Sequence, residues 1–285
     1  MPSLAIKHKK TSIIISISSD IGHALAIRWL QKGDKIIGTY RTLSNEIKQL
    51  ENEGIDIVKC DLSSSGSVDS ACAEIISKID SWDNLIIASG LLSPIGPFIN
   101  SDFEQWSESI LVNFTSQLRV VHHLLPCRNQ QNPMGPIVLF FAGGGTNNAT
   151  LNYSAYTVSK IGLIKMCELL DAEIPDTRFS IIGPGWVKTK IHEITINNQN
   201  NAGSNFNETI RRYKDDDFVP MQKVLDFCDW IVNAPGKIIS GRNFSAANDD
   251  WGGKFLSEQL MIDKNMYKLR RFGNDFKKGR NNEKI

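Results

Sequence analysis

Along this chain the pattern of apolar and polar positions switches repeatedly between the two periods of regular structure. Ser12 to Ile17 is a short β-branched run of the kind that fills a strand buried on both faces. After Ser18-Ser19-Asp20-Ile21-Gly22 the period becomes helical, through Ala24, Leu25, Ile27, Trp29 and Leu30, and Gly33 stops it. A strand at Lys35 to Tyr40, a helix near Leu43 to Glu53 and a strand at Ile55 to Cys60 follow. This β-α-β-α-β order predicts parallel strands joined by right-handed crossovers.

The alternation continues with a helix around Val68 to Ile79, a strand at Asn84 to Ala88 and a long helix from Phe103 to Leu125. Next come a strand at Ile137 to Phe141, a helix from Tyr153 to Glu173 ended by Pro175, and a strand at Phe179 to Ile182. A helix near Met221 to Val232 and a strand at Lys237 to Phe244 complete the series, while Asn197 to Asn207 reads as a mobile, amide-rich loop. Seven strands alternating with helices describe an α/β fold, a doubly wound parallel sheet of Rossmann type with helices on both faces. The expected organisation is a polar arm over 1–11, a single domain over 12–253 and a weakly patterned tail over 254–285, its last dozen residues disordered.

Composition narrows the partners. Lys plus Arg number 32 against 31 for Asp plus Glu, so no charge excess argues for nucleic acid or a membrane surface. No stretch approaches the ~20 apolar residues of a membrane span, and the run Ile13 to Ile17 is too short for a signal-peptide core, so a cytoplasmic location is expected. Cys60, Cys72, Cys127, Cys167 and Cys228 are far apart and odd in number, which suits buried free thiols better than disulfides or zinc. His122 and His123 point about 100° apart on a helix and lack a suitably spaced third ligand, so no metal site is expected. The expected ligand is a small molecule.

In an open parallel sheet that ligand binds beyond the carboxyl ends of the strands. The first such turn offers backbone amides and a helix N-terminus to a pyrophosphate, with Ser16, Ser18, Ser19, Asp20, Ile21 and Gly22 as the contacting residues. At the end of the second strand stand Tyr40 and Arg41 with no acid. A carboxylate there would select a free ribose and a cation a ribose phosphate, so NADP(H) is favoured and NAD(H) is the alternative. Tyr156 and Lys160, four residues apart, share one helix face. An ammonium beside a phenol lowers its pKa and makes it a usable proton donor and acceptor for a carbonyl.

These motifs, in this order, resemble the short-chain dehydrogenase/reductase family over roughly residues 12–252. Ile15-Ser16-Ile17-Ser18-Ser19-Asp20-Ile21-Gly22 stands for the family's Thr-Gly-x-x-x-Gly-x-Gly turn, of which only the last glycine survives. The resemblance implies that Asp61 and Leu62 contact adenine, that Ala88-Ser89-Gly90 follows the fourth strand, and that Pro184, Gly185, Val187 and Thr189 flank the nicotinamide. It implies that Asn113 supports a proton relay to Lys160, that Tyr156 is the acid/base, and that Lys160 also holds the ribose. The family serine about thirteen residues before the tyrosine is missing, since the chain reads Ala142-Gly143-Gly144-Gly145-Thr146. Thr146 is the expected replacement.

By the same resemblance, residues 188–217 form a lid, the helices at Phe103 to Leu125 and Tyr153 to Glu173 give a homodimer or homotetramer, and Trp186 and Trp251 lie near the ligand. The ending that contains Asp249-Asp250-Trp251 and Leu269-Arg270-Arg271 is similar to members that act on nucleotide sugars. The implied activity is an NAD(P)(H)-dependent oxidoreductase interconverting a hydroxyl and a carbonyl on a small polar substrate. The alternative is a catalytically impaired scaffold that binds a dinucleotide or regulates.

Overall fold

An isoleucine triplet and short apolar runs can only be strands if both faces of the sheet are covered, and that is how the chain folds. The computed structural model describes residues 9–271. The strands are β1 (Thr11–Ile15), β2 (Lys35–Tyr40), β3 (Asp56–Lys59), β4 (Asn84–Ile87), β5 (Ile137–Phe141), β6 (Arg178–Gly183) and β7 (Arg242–Ser245). They form one sheet in the order β3-β2-β1-β4-β5-β6-β7, parallel throughout. The order reverses between β1 and β4, which sets a crevice at their carboxyl ends.

The helices are α1 (Asp20–Gln31), α2 (Asn45–Asn52), α3 (Ser65–Ser77), α4 (Phe103–Ile110), α5 (Ser116–Leu124), α6 (Ser154–Glu173), α7 (Ile191–Asn197), α8 (Gln199–Ala202), α9 (Ser204–Asp215), α10 (Met221–Asn233), α11 (Gly236–Ile239) and α12 (Lys254–Ile262). Three of the first four crossovers start on a serine whose hydroxyl takes an orphan amide: Ser19 from Gly22, Ser44 from Ile47 and Ser64 from Ser67. Alternation along the strands then sorts side chains into two layers. Ile14, Leu139 and Ile182 face α1, α2 and α10, through Leu25, Trp29, Ile47 and Phe227. Ile13, Ile15, Val138, Phe140 and Ile181 face α3, α5 and α6, through Val68, Val120, Leu163 and Cys167. Four of the five cysteines are buried free thiols within or beside these layers.

Several boundaries differ from the sequence reading, each for a physical reason. β1 stops at Ile15 because Ser16 takes the left-handed conformation, φ +63°, and turns the chain toward α1. The expected helix from Phe103 to Leu125 is divided by a π-helical turn at Leu111–Thr115. Lys237 to Ile239 belongs to α11, opened by Pro235, so only Arg242–Ser245 is strand. The expected amide-rich loop is helical, as α7, α8 and α9. The segment after 253 is also built into the domain: Leu256, Leu260, Met266 and Tyr267 pack in the first layer, and Arg270 pairs with Glu168. Most of the expected arm and the expected disordered end lie outside the described residues.

Candidate active site

A cleft of about 1190 Å³ runs along the carboxyl edge of the sheet, lined by the loops that follow every strand. Its first wall is the turn between β1 and α1. The Ser16 amide donates to Thr39 Oγ1 at 2.9 Å, its carbonyl accepts from the Ser19 amide at 3.0 Å, and Ser19 caps the helix. Gly22 is obligatory: a Cβ there would lie 2.7 Å from the Ser16 oxygen, 2.8 Å from Ser19 Oγ and 3.3 Å from Ala88 Cβ. The turn is thus pressed against the end of β4. The amides of Ser18, Asp20 and Ile21 find no protein acceptor among the described residues. Unpaired donors at a helix N-terminus fit a phosphate.

Toward the other strands, Arg41 is exposed at the mouth just beyond Tyr40. Asp61 is held below the usual carboxylate range by the Ser63 amide and then its hydroxyl, with Arg41 contributing. Leu62 is buried beneath it. These positions, with Ser18, Ser19, Ala88, Ser89 and Gly90, all line the one cleft. Ser89 Oγ is buried without a hydrogen-bond partner, and so is Thr157 Oγ1. The donor set, the glycine-only turn and these orphaned hydroxyls fit a dinucleotide.

α6 carries the reactive pair. Tyr156 and Lys160 face the cleft one turn apart, Lys160 only 2% exposed and its Nζ 5.8 Å from the centre of the Tyr156 ring. Lys160 Nζ donates to the Ser89 carbonyl at 3.1 Å, where Gln117 Nε2 also donates at 3.3 Å. Burial works against the lowered phenol expected from the pairing. The phenol is not lowered by its neighbour; burial pushes Tyr156 up to about 12 and brings Lys160 down to about 7. Desolvation outweighs a partner that itself tends to lose its charge.

Asn113 sits within the π turn, fully buried. Its Nδ2 donates to the Leu91 carbonyl and its Oδ1 accepts from the Leu91 amide, both at 2.7 Å, and Nδ2 also reaches Ser109 Oγ at 3.1 Å. The side chain therefore grips the loop after β4. The π turn adds one residue to the helical ladder, and such insertions recur at functional sites. It spaces Asn113 and Gln117 onto Leu91 and Ser89.

Of the two positions, Ala142 and Gly143, where the family serine is missing, Gly143 is covered by the tyrosine. A Cβ on Gly143 would stand 2.4 Å from Tyr156 Cε1 and 2.9 Å from its hydroxyl oxygen. The aromatic ring lies directly on the Gly143 backbone. Thr146, half-buried, lines the cleft farther along the same loop.

The opposite wall begins at Pro184 and Gly185, passes the buried Val187 and the half-buried Thr189, and continues into α7. Trp186 is held between His192, stacked at 5.0 Å, and the Arg212 guanidinium at 4.7 Å. Trp251 instead packs against Phe227 and Trp230, away from the cleft lining. The segment anticipated as a mobile loop is tied down: Asn152 donates to the Asn201 carbonyl and Asn205 to the Leu151 carbonyl. Tyr153 and Thr195, both 4% exposed, share a 2.9 Å hydroxyl pair within an apolar wall of Leu92, Ile191, Ile194 and Phe206.

Sequence reasoning missed Gln117, Tyr153, Lys190, Thr195 and the strip Tyr267 to Arg270, all of which touch or shape the cleft. Gln117 lies one turn after Asn113, which is the only signal it carries. None of the helices among the described residues is long and apolar enough to cross a membrane.

The comparisons agree with this geometry. An uncharacterized oxidoreductase of Schizosaccharomyces pombe is 27% identical over 210 residues, covering 73% of this chain and 82% of the relative. A 3-oxoacyl-[acyl-carrier-protein] reductase of Buchnera aphidicola is 28% identical over 192 residues, covering 64% and 75%. Among solved structures, a variant of the actinorhodin polyketide ketoreductase with NADPH superposes with a TM-score of 0.71 at 18% identity, covering 83% of this chain and 95% of that one. The short chain dehydrogenase family model matches residues 10–201, more than half of the sequence. With the reversed-order parallel sheet and the Tyr156–Lys160 pair at its carboxyl edge, the chain belongs to the short-chain dehydrogenases, a family of NAD(P)(H)-dependent oxidoreductases.

Proposed function

We propose that this protein is an NADP(H)-dependent oxidoreductase that interconverts a carbonyl and a hydroxyl on a small molecule, with Tyr156 exchanging the proton. The observation that carries the reading is the Tyr156 phenol on the cleft surface, backed one turn away by the buried Lys160. The dinucleotide, when bound, carries the reducing equivalents. With its pKa pushed up to about 12, Tyr156 keeps its proton at neutral pH and is ready to donate it as a carbonyl oxygen gains charge. Lys160, near neutrality, can take up and release the replacement proton. Asn113 and Gln117 hold the loop over which that proton travels, and Thr146 takes the carbonyl-orienting part of the absent serine.

Arg41 at the mouth, with no carboxylate at the end of β2, supports NADP(H) over NAD(H). The apolar wall of Leu92, Tyr153, Ile191 and Ile194 supports a carbonyl with a hydrophobic flank. A second reading, a sugar or nucleotide-sugar substrate, rests on the polar rim of Glu108, Asn147, Asn148 and Asn205. A homodimer or homotetramer in the cytoplasm completes the reading; exposed Phe103, Val158 and Leu169 on α4 and α6 support the association.

Fluorescence titration with NADPH and NADH tests the cofactor, comparing wild type with Arg41→Ala. Tighter NADPH binding that weakens in the variant is expected. A preference for NADH would overturn it. A panel of apolar ketones and nucleotide-sugar carbonyls, with Tyr156→Phe as control, tests the chemistry. Absence of dinucleotide binding at millimolar concentration, about −4 kcal/mol or weaker, would instead favour the impaired scaffold.

A further inference from the structure

The turn expected to receive the cofactor's diphosphate already holds an anion. Asp20 is the first residue of α1, beside the unpaired amides of Ser18 and Ile21. It does not cap its own helix, because Ser19 does that. Its side chain instead crosses the mouth of the cleft: Oδ2 accepts from the Lys190 amide at 2.8 Å, and Oδ1 lies 3.9 Å from Lys190 Nζ. That ammonium is shared with Glu46 Oε2 at 3.5 Å. One cation thus serves two carboxylates. Lys190 immediately precedes α7, so the Asp20 bond also fastens the lid to the turn.

We propose that Asp20 is a built-in competitor for the dinucleotide's diphosphate, and that Lys190 is the group for which the two compete. The proposal rests on reading this cleft as an NAD(P)(H) site. A diphosphate lying over the free amides meets the like charge of Asp20, which costs affinity. The same diphosphate draws Lys190 Nζ away from Asp20 and Glu46. The pair therefore sets a low affinity and ties cofactor entry to movement at the start of α7, an effect a glycine at position 20 would not produce.

The test is fluorescence titration of NADPH into the full-length wild type, Asp20→Asn, Asp20→Gly and Lys190→Gln at low ionic strength. The Asp20→Asn change keeps an acceptor for the Lys190 amide and loses only the charge; Lys190 is 60% exposed, so its replacement leaves the fold intact. Asp20→Asn and Asp20→Gly should each bind about tenfold more tightly, and Lys190→Gln several-fold more weakly. The gain should shrink in about 0.5 M salt. Opposite signs are the signature, since a merely structural bridge would move both sets of variants the same way. Wild type that binds NADPH as well as Asp20→Asn, or better, overturns this proposal alone. Failure of every variant to bind NADPH or NADH at millimolar concentration overturns it together with the cofactor reading.

Discussion

Position 143 shows how one absent atom is read differently from sequence and from structure. In the sequence, the stretch from Ala142 to Gly145 only lacks a hydroxyl; in the structure, Gly143 is the space that Tyr156 occupies. Placing a serine at 143 should therefore lower activity rather than raise it. Gly143→Ser is expected to push the ring off its seat and lower kcat at least ~10²-fold with NADPH affinity nearly unchanged, judged by the cost of misplacing a catalytic group by about 1 Å. Steady-state kinetics beside a binding titration checks this, and a gain in turnover would contradict it.

Lys160 makes a second prediction at the same scale. It titrates near 10.5 when unfolded and about 7 in the folded chain, so between those values the unfolded state binds the additional proton. Stability should rise with pH across that window, the cost being full below about 7 and absent above about 10.5. The shift corresponds to on the order of 5 kcal/mol. Urea midpoints from pH 6.5 to 9.5 should climb in wild type relative to Lys160→Met; parallel profiles would show that the lysine is not desolvated.

At the scale of elements, the legible parts were those whose period was unmixed. β1 to β6, α1 to α3, α6 and α10 were readable because buried strands are continuous apolar runs, helices keep one apolar face, and the first three crossovers carry serine caps. The π turn was not readable: Leu111 to Thr115 keeps the helical pattern on either side, and only the count of residues per turn changes. The lid was misread for a different reason. Asn201 and Asn205 look like loop residues, yet α8 and α9 use the backbone and side-chain groups of such residues to bond the loop before α6. Asn113 tests the π turn. Asn113→Ala strands the Leu91 amide and carbonyl in a part-buried place and should cost about 2 kcal/mol in urea unfolding. A loss below ~0.5 kcal/mol would mean that water takes over both bonds.

For the whole molecule, topology alone brings the site together. Residues from Ser16 to Arg270 meet along one edge because parallel strands deliver every carboxyl end to the same side. The motif residues on that edge were therefore foreseeable in order, from the first turn to Tyr156. The closing strip Tyr267 to Arg270 was not, because its hold on the domain is a bidentate Arg270–Glu168 pair and a few packed side chains rather than a periodic pattern.

The buried thiols give this architecture a clock. Cys72, Cys167 and Cys228 are shut inside and Cys60 borders the cleft; burial raises all four above an ordinary thiol, while Cys127 is only partly covered. A thiolate is the reactive form, so in native protein a disulfide reagent should label Cys127 promptly, and Cys72, Cys167 and Cys228 only as fast as the layers part. The slow phase then measures how often the sheet uncovers its two faces, with no probe attached and no residue changed.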